Sequence, residues 1–171
     1  PGGGVLQGDG RERLVKVATR NPEAYALYLQ ATAIFNRRDG PRFGEAISHL
    51  EEAIRLDPSF ARAHSRLAAL HALTPNFTLR NFPAETAEAE RHARRAAELD
   101  PTLAEPHAVL GLLHTQLRQY EAERESLQRA LALDPDDVTS NFWLATTLVI
   151  EGYGRQGTEA LDRVLAIDPM L

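Results

Sequence analysis

The sequence predicts an all-α fold, a right-handed superhelical solenoid of four helix-turn-helix units with eight helices in all. Three observations predict it. A tetrapeptide ending in Asp-Pro recurs, as RLDP ending at Pro58, ELDP at Pro101, ALDP at Pro135 and AIDP at Pro169. The last two intervals are 34 residues each and the first is 43, and a fixed period of this size marks a stack of repeated supersecondary units. Each tetrapeptide closes a stretch with apolar residues at helical spacing, and a second helical stretch precedes each of these.

Residues 1–20 open with PGGGVLQGDG, which has no strand before it and no Lys-Ser/Thr after it, so it reads as a flexible leader or linker and not as a phosphate loop. The array then occupies 21–171. In the first unit (24–58), Asn21 is placed to cap a helix that has Pro22 at its first position. The following helix carries Ala46, Leu50, Ala53 and Ile54 on one stripe, and Pro58 disfavours the helical conformation at Asp57 and ends it. The second unit (59–101) pairs FARAHSRLAALHAL with a helix striped by Ala89, Ala93, Ala96 and Ala97. The third (102–135) pairs LAEPHAVLGLLHTQL, whose Pro106 falls harmlessly in a first turn, with Leu127, Ala130 and Leu131. The fourth (136–169) pairs DDVTSNFWLATTLVIEG with Leu161, Val164 and Leu165. Three extra residues fall between the helices of the first unit and nine between those of the second, around TPNFTLRNFP. Both insertions are expected to lengthen loops without breaking the stack, because loop-closure cost grows slowly with length.

Composition narrows the function. A net charge of −5 argues against a nucleic-acid binder, whose affinity comes from basic side chains on phosphates. No apolar run approaches a membrane span. Zero cysteines remove disulfides, thiolate nucleophiles and Cys-based zinc sites, and fit a cytoplasm without excluding a periplasm. The absence of an initiator Met leads us to expect an excised or processed fragment.

Counted back from the Pro as position 32, with the inserted residues left out, the units share a register. Leu67, Leu110 and Leu144 fall at position 7; Ala68, Gly111 and Ala145 at 8; Ala46 and Ala89 at 20; Leu50, Leu127 and Leu161 at 24; Ala53, Ala96, Ala130 and Val164 at 27. This pattern resembles the tetratricopeptide repeat (TPR). The resemblance implies small residues at 8, 20 and 27 where two helices approach closely, with large ones at 7 and 24 between them. Glu123 and Gly157 depart from it at position 20, and no Trp stands at position 4. The wording of the first two units is similar to TPR regions of bacterial signalling proteins that carry winged-helix, cyclase or kinase domains. That likeness implies an effector domain elsewhere in the chain, on the N-terminal side.

The chain offers no catalytic constellation, no cofactor motif and no metal set. Four of its six histidines form two octets, HSRLAALH (His64 and His71) and HAVLGLLH (His107 and His114). In the register they occupy positions 4 and 11, so they read as half-buried packing groups in the seam between helices. Their seven-residue spacing differs from the i,i+3 or i,i+4 spacing of helical metal sites. The resemblance implies a concave surface lined by positions 2, 5, 9, 12 and 13. Candidate partner-binding residues there are Tyr25, Tyr28, Thr32, Phe35, Arg62, Leu112, Gln116, Phe142, Thr146 and Val149. Only Arg62 is basic among these positions, against a clamp for a peptide's terminal carboxylate, and the apolar members favour an amphipathic helix or extended peptide. Phe77 and Phe82 are candidates for a partner-binding loop or for folding back over the second unit. With no capping helix after Pro169, the last pair is expected to expose apolar surface, to be covered by further chain or by self-association. The expected function is therefore protein or peptide docking. The alternative is a ligand-sensing domain that controls an attached effector.

Overall fold

The computed structural model describes residues 18–76 and 82–167. These form eight α-helices: α1 (Pro22–Asn36), α2 (Phe43–Leu56), α3 (Ala61–Leu73), α4 (Phe82–Leu99), α5 (Glu105–Gln116), α6 (Tyr120–Leu133), α7 (Val138–Ile150) and α8 (Gly154–Ile167). Successive pairs pack as hairpins, and the first helices of neighbouring units also touch, α3 on α5 and α5 on α7. The result is an all-α helical-repeat solenoid.

The local sequence explains the element ends. Asn21 Oδ1 accepts from the backbone N–H groups of Glu23 and Ala24, so α1 starts on the expected cap. Three of the four hairpin turns reach the left-handed region at the same register position, 15, at Arg38 (φ 51°), Arg118 (φ 57°) and Gly152 (φ 90°). The following N–H then reaches back five residues in each case: Asp39 to the Ile34 carbonyl, Gln119 to that of His114 and Tyr153 to that of Leu148. These bonds absorb carbonyls that the helix end would leave unpaired. Glycine adopts this conformation without the Cβ penalty that arginine meets. Arg118→Gly is accordingly expected to stabilise the array by about 1 kcal/mol, read as a higher urea midpoint at unchanged slope.

The Asp-Pro tetrapeptide does more than stop a helix. Asp57 Oδ1 accepts from both the N–H and the hydroxyl of Ser59, and Asp100 Oδ1 does the same for Thr102. Asp134 accepts from the Asp136 N–H. Each unit is thus joined to the next by an Asx turn. Thr19 donates to the other Asp57 oxygen at 2.5 Å, and Ala18 packs against the first core, so the last residues of the segment read as leader lie along the first hairpin.

The core follows the register. Ala46, Leu50, Ala53, Ala89, Ala96, Leu127 and Ala130 are fully buried. A methyl group placed on Gly111 would lie 2.6 Å from Leu127 Cδ2, so the close approach of α5 to α6 depends on the missing side chain. Leu165 departs from the expected stripe and is 50% exposed. Among the described residues no helix packs on the far side of α8 to cover it. The insertions also differ from simple loops. The first forms a short 3-10 turn, Gly40–Arg42. The second begins with another, Thr74–Asn76, and part of it lengthens α4 to 18 residues, against 14 in α2, α6 and α8.

Candidate functional site

The first helices of successive units enclose an open trough of about 840 Å³. Its apolar lining includes Phe35 from α1, Ala69 and Leu73 from α3, Ala108 and Leu112 from α5, and Phe142 and Trp143 from α7. Charged groups of both signs stand among them: Arg38, Arg66, Glu105, Asp134 and Asp137.

Arg66 is the central group. Its guanidinium lies 4.3 Å from the centre of the Phe35 ring, a cation–π contact. It pairs with Glu105 at 3.1 Å and reaches Asn36 Oδ1 at 3.5 Å. The second Glu105 oxygen accepts from the Ser65 hydroxyl at 2.7 Å. Three helices, α1, α3 and α5, are therefore tied across the trough by one side chain. Arg66 stands at register position 6, which the resemblance does not place on the concave surface. The length of its side chain carries it there, and the nearby Glu105, at position 2, was the available signal.

The sequence-predicted residues fall into groups. Phe35, Leu112 and Phe142 come together in the trough. Gln116 lies beside them on α5 and donates from Nε2 to the Ala72 carbonyl at 3.3 Å, bridging the second and third units. Thr146 donates its hydroxyl to the Phe142 carbonyl, one turn back on α7. Val149 is exposed further along the same helix. Tyr28 packs against Phe60 with the rings tilted, centres 5.2 Å apart, and belongs to the edge of the first core. Thr32 is partly buried, and its hydroxyl has no hydrogen-bond partner among the described residues. Tyr25 and Arg62 line a second, more polar hollow of about 1410 Å³ with Asn21, Asp57, Asp100 and Thr102. Phe77 lies outside the described residues, and Phe82 is the exposed first residue of α4 rather than part of a loop.

The histidines resolve into repeat-specific ties. At position 4, His64 Nε2–H donates to the Pro58 carbonyl at 3.2 Å, and Asn141, the equivalent residue of the fourth unit, donates to the Pro135 carbonyl at 2.9 Å. In the second and fourth units position 4 thus fastens the first helix to the preceding Asp-Pro turn. At position 11, His71 Nδ1–H donates to Glu85 at 2.6 Å and His114 Nδ1–H to Gln119 at 2.9 Å, and both acceptors stand at position 16. The nearest neighbour of His64 is His92 on α4, Nδ1 to Nδ1 at 2.8 Å, rather than His107 of the next unit. Burial holds the His107 imidazole below the usual histidine range. Among the described residues no group of three His, Cys, Asp or Glu side chains is arranged to hold a metal, and no helix is long and apolar enough to cross a membrane.

Comparison with known proteins supports the same architecture. Residues 104–137, essentially the third unit, match the family model of the tetratricopeptide repeat. That stretch is similar to a tetratricopeptide repeat. The other three units share its register and hairpin geometry. A thermophilic TPR protein from Thermus thermophilus superposes with a TM-score of 0.74 at 18% identity, over 87% of this chain and 76% of that one. YrrB, described as a TPR protein with an unusual peptide-binding site, gives 0.58 at 20% identity, over 85% and 69%. The first TPR domain of Spaghetti, bound to an HSP90 peptide, gives 0.62 at 16% identity, over 80% and 98%. No curated protein matches the chain by sequence.

Proposed function

We propose that the array docks a peptide or an exposed segment of a partner protein in the trough between its first helices. The observation that carries this reading is the trough itself. It is open along its length, apolar in its lining, and edged by Arg38 and Arg66 on the side of the first two units and by Asp134 and Asp137 at the junction of the third and fourth. An open trough suits a chain that enters and leaves, whereas a small-molecule sensor would want an enclosed pocket. Two structural neighbours, YrrB and the Spaghetti domain, are described as peptide-binding, which is consistent with this reading. Phe35, Leu112 and Phe142 serve as the apolar anchors, and the Arg66–Glu105 pair fixes the spacing of the helices that present them. Attachment to a regulatory effector domain is part of the proposal and rests on the sequence resemblance alone.

Panning a displayed library of random peptides against the array tests the reading. The expected outcome is a set of binders whose affinity falls at least tenfold, about 1.4 kcal/mol, with Leu112→Asp or Phe142→Asp while helicity by circular dichroism is unchanged. Binders indifferent to both substitutions would show that the trough is not the docking surface.

A further inference from the structure

Three of the six histidines gather between α3 and α4, and docking makes no use of them. His64, His71 and His92 are each more than nine-tenths buried. The His64 and His92 rings meet at Nδ1···Nδ1 2.8 Å, and His71 stacks on His92 with ring centres 6.2 Å apart.

The hydrogen bonds assign the protons. Arg91 can only donate, and its Nη2 lies 2.9 Å from His92 Nε2, so that nitrogen accepts. The proton of a neutral His92 is then on Nδ1, which donates to His64 Nδ1. His64 in turn carries its proton on Nε2, which donates to the Pro58 carbonyl at 3.2 Å. The line Arg91, His92, His64, Pro58 is fully satisfied with both rings neutral. It has no vacancy for another proton. Protonating His64 at Nδ1 sets two N–H groups face to face at 2.8 Å, and protonating His92 at Nε2 sets an N–H against the guanidinium.

We propose that this line is an acid-sensitive clasp: it holds α4 to the turn between the first and second units, and protonation of either imidazole opens it. The charged surroundings of the pair favour neutrality on balance. Arg91 and Arg95 of α4 oppose a charge on His64, while Asp57, in the turn before α3, favours one. Arg91 and His71 oppose a charge on His92, while Glu88 favours one, and Glu85 faces His71 from α4. Burial is the largest influence on both rings. It lowers His64 and brings His92 down to about 4 from the usual 6.5. Below pH 6.5 the unfolded hairpin therefore takes up protons that the folded one refuses, and the stability present at neutral pH drains away as the pH falls toward 4. His92 alone raises the opening constant of the second hairpin about 30-fold between pH 7.5 and pH 5. The same α3 carries Ala69 and Leu73 into the trough, so opening also loosens the docking surface; only that consequence rests on the peptide reading.

Two measurements on the whole chain decide the matter. Imidazole nitrogen NMR across pH 7.5 to 5 should show His92 still neutral at about pH 5.5 and His64 titrating below the usual 6.5, with the neutral rings carrying their protons on His92 Nδ1 and His64 Nε2. Midpoints near 6.5, or the opposite tautomers, overturn the proposal. Amide hydrogen exchange, corrected for intrinsic rates, should show opening in α3 and α4 rising about 30-fold more than in α7 and α8, which carry no histidine, over the same range. The His64→Gln/His92→Gln variant, which cannot take up a proton, should lose that difference. An equal rise in all hairpins, or an undiminished rise in the variant, overturns it. If the variant does not fold, the ring titration of the unsubstituted chain decides alone.

Discussion

Leu127→Ala is expected to cost about 3 kcal/mol, and adding Gly111→Ala is expected to return part of that loss. Leu127 is fully buried on α6, and its branched end lies where a side chain on Gly111 of α5 would begin, 2.6 Å from Cδ2 and 2.8 Å from Cγ. Truncating the leucine removes its burial energy and leaves a cavity that the two helices fill only in part. Gly111→Ala alone gains about 1 kcal/mol of helix propensity and loses more than that to overlap, for a net cost of about 1–2 kcal/mol. In the double variant the new methyl enters the space the leucine has left. The cost of the double variant then falls short of the sum of the two single costs by about 2–3 kcal/mol, a coupling that a double-mutant cycle in urea reads directly. Because repeat arrays can unfold unit by unit, the transitions are best fitted to a nearest-neighbour scheme. Strict additivity would mean that the two residues do not share one space.

This pair also illustrates how much of the fold was legible in advance. The period, the Asp-Pro stops, the Asn21 cap and the alternation of small and large positions are local facts, written in residues a few places apart. They were enough for four hairpins, and the resemblance added that small residues such as Gly111 and large ones such as Leu127 share the space between paired helices; the contact of these two is seen only in the structure. Long-range geometry was less accessible. Arg66 reaches the trough from a position outside the usual concave set because its side chain is long and Glu105, 39 residues on, receives it. His92 belongs to the histidine cluster although no spacing links it to His64, since the insertion before α4 obscured where that helix would sit. The two octets occupy packing positions, as the register implies, but their individual ties, to the preceding Asp-Pro turn and to position 16, became visible only once the hairpins were closed. Among the candidate groove residues, the apolar trio converged, whereas Tyr25 and Arg62 line a separate polar hollow.

Position 20 sharpens the limits of arguing from a repeat's usual residues. Alanine is usual there, and Gly157 occupies it in the fourth unit. On propensity alone, Gly157→Ala in the middle of α8 should stabilise the helix by about 1 kcal/mol. The structure predicts the opposite sign. A methyl on Gly157 would lie 2.5 Å from a Val149 methyl, 3.0 Å from the Ala145 carbonyl oxygen and 3.1 Å from the Val149 nitrogen. The half-exposed Val149 side chain can turn aside, but the other two atoms are α7 backbone and can yield only if the whole helix moves. Displacing α8 also strains the fully packed contacts of Ala160 and Val164 below it. Gly157→Ala is therefore expected to cost about 1–2 kcal/mol and Gly157→Leu about 3 kcal/mol or more, through overpacking of a closely approached pair of helices. The loss should be confined to the fourth hairpin, appearing as faster amide exchange in α7 and α8 with α1 to α4 unchanged, because each unit of a stack contacts only its neighbours. A stabilised Gly157→Ala variant would mean that α7 and α8 stand farther apart than these distances, and that the glycine is an ordinary weak point in a helix.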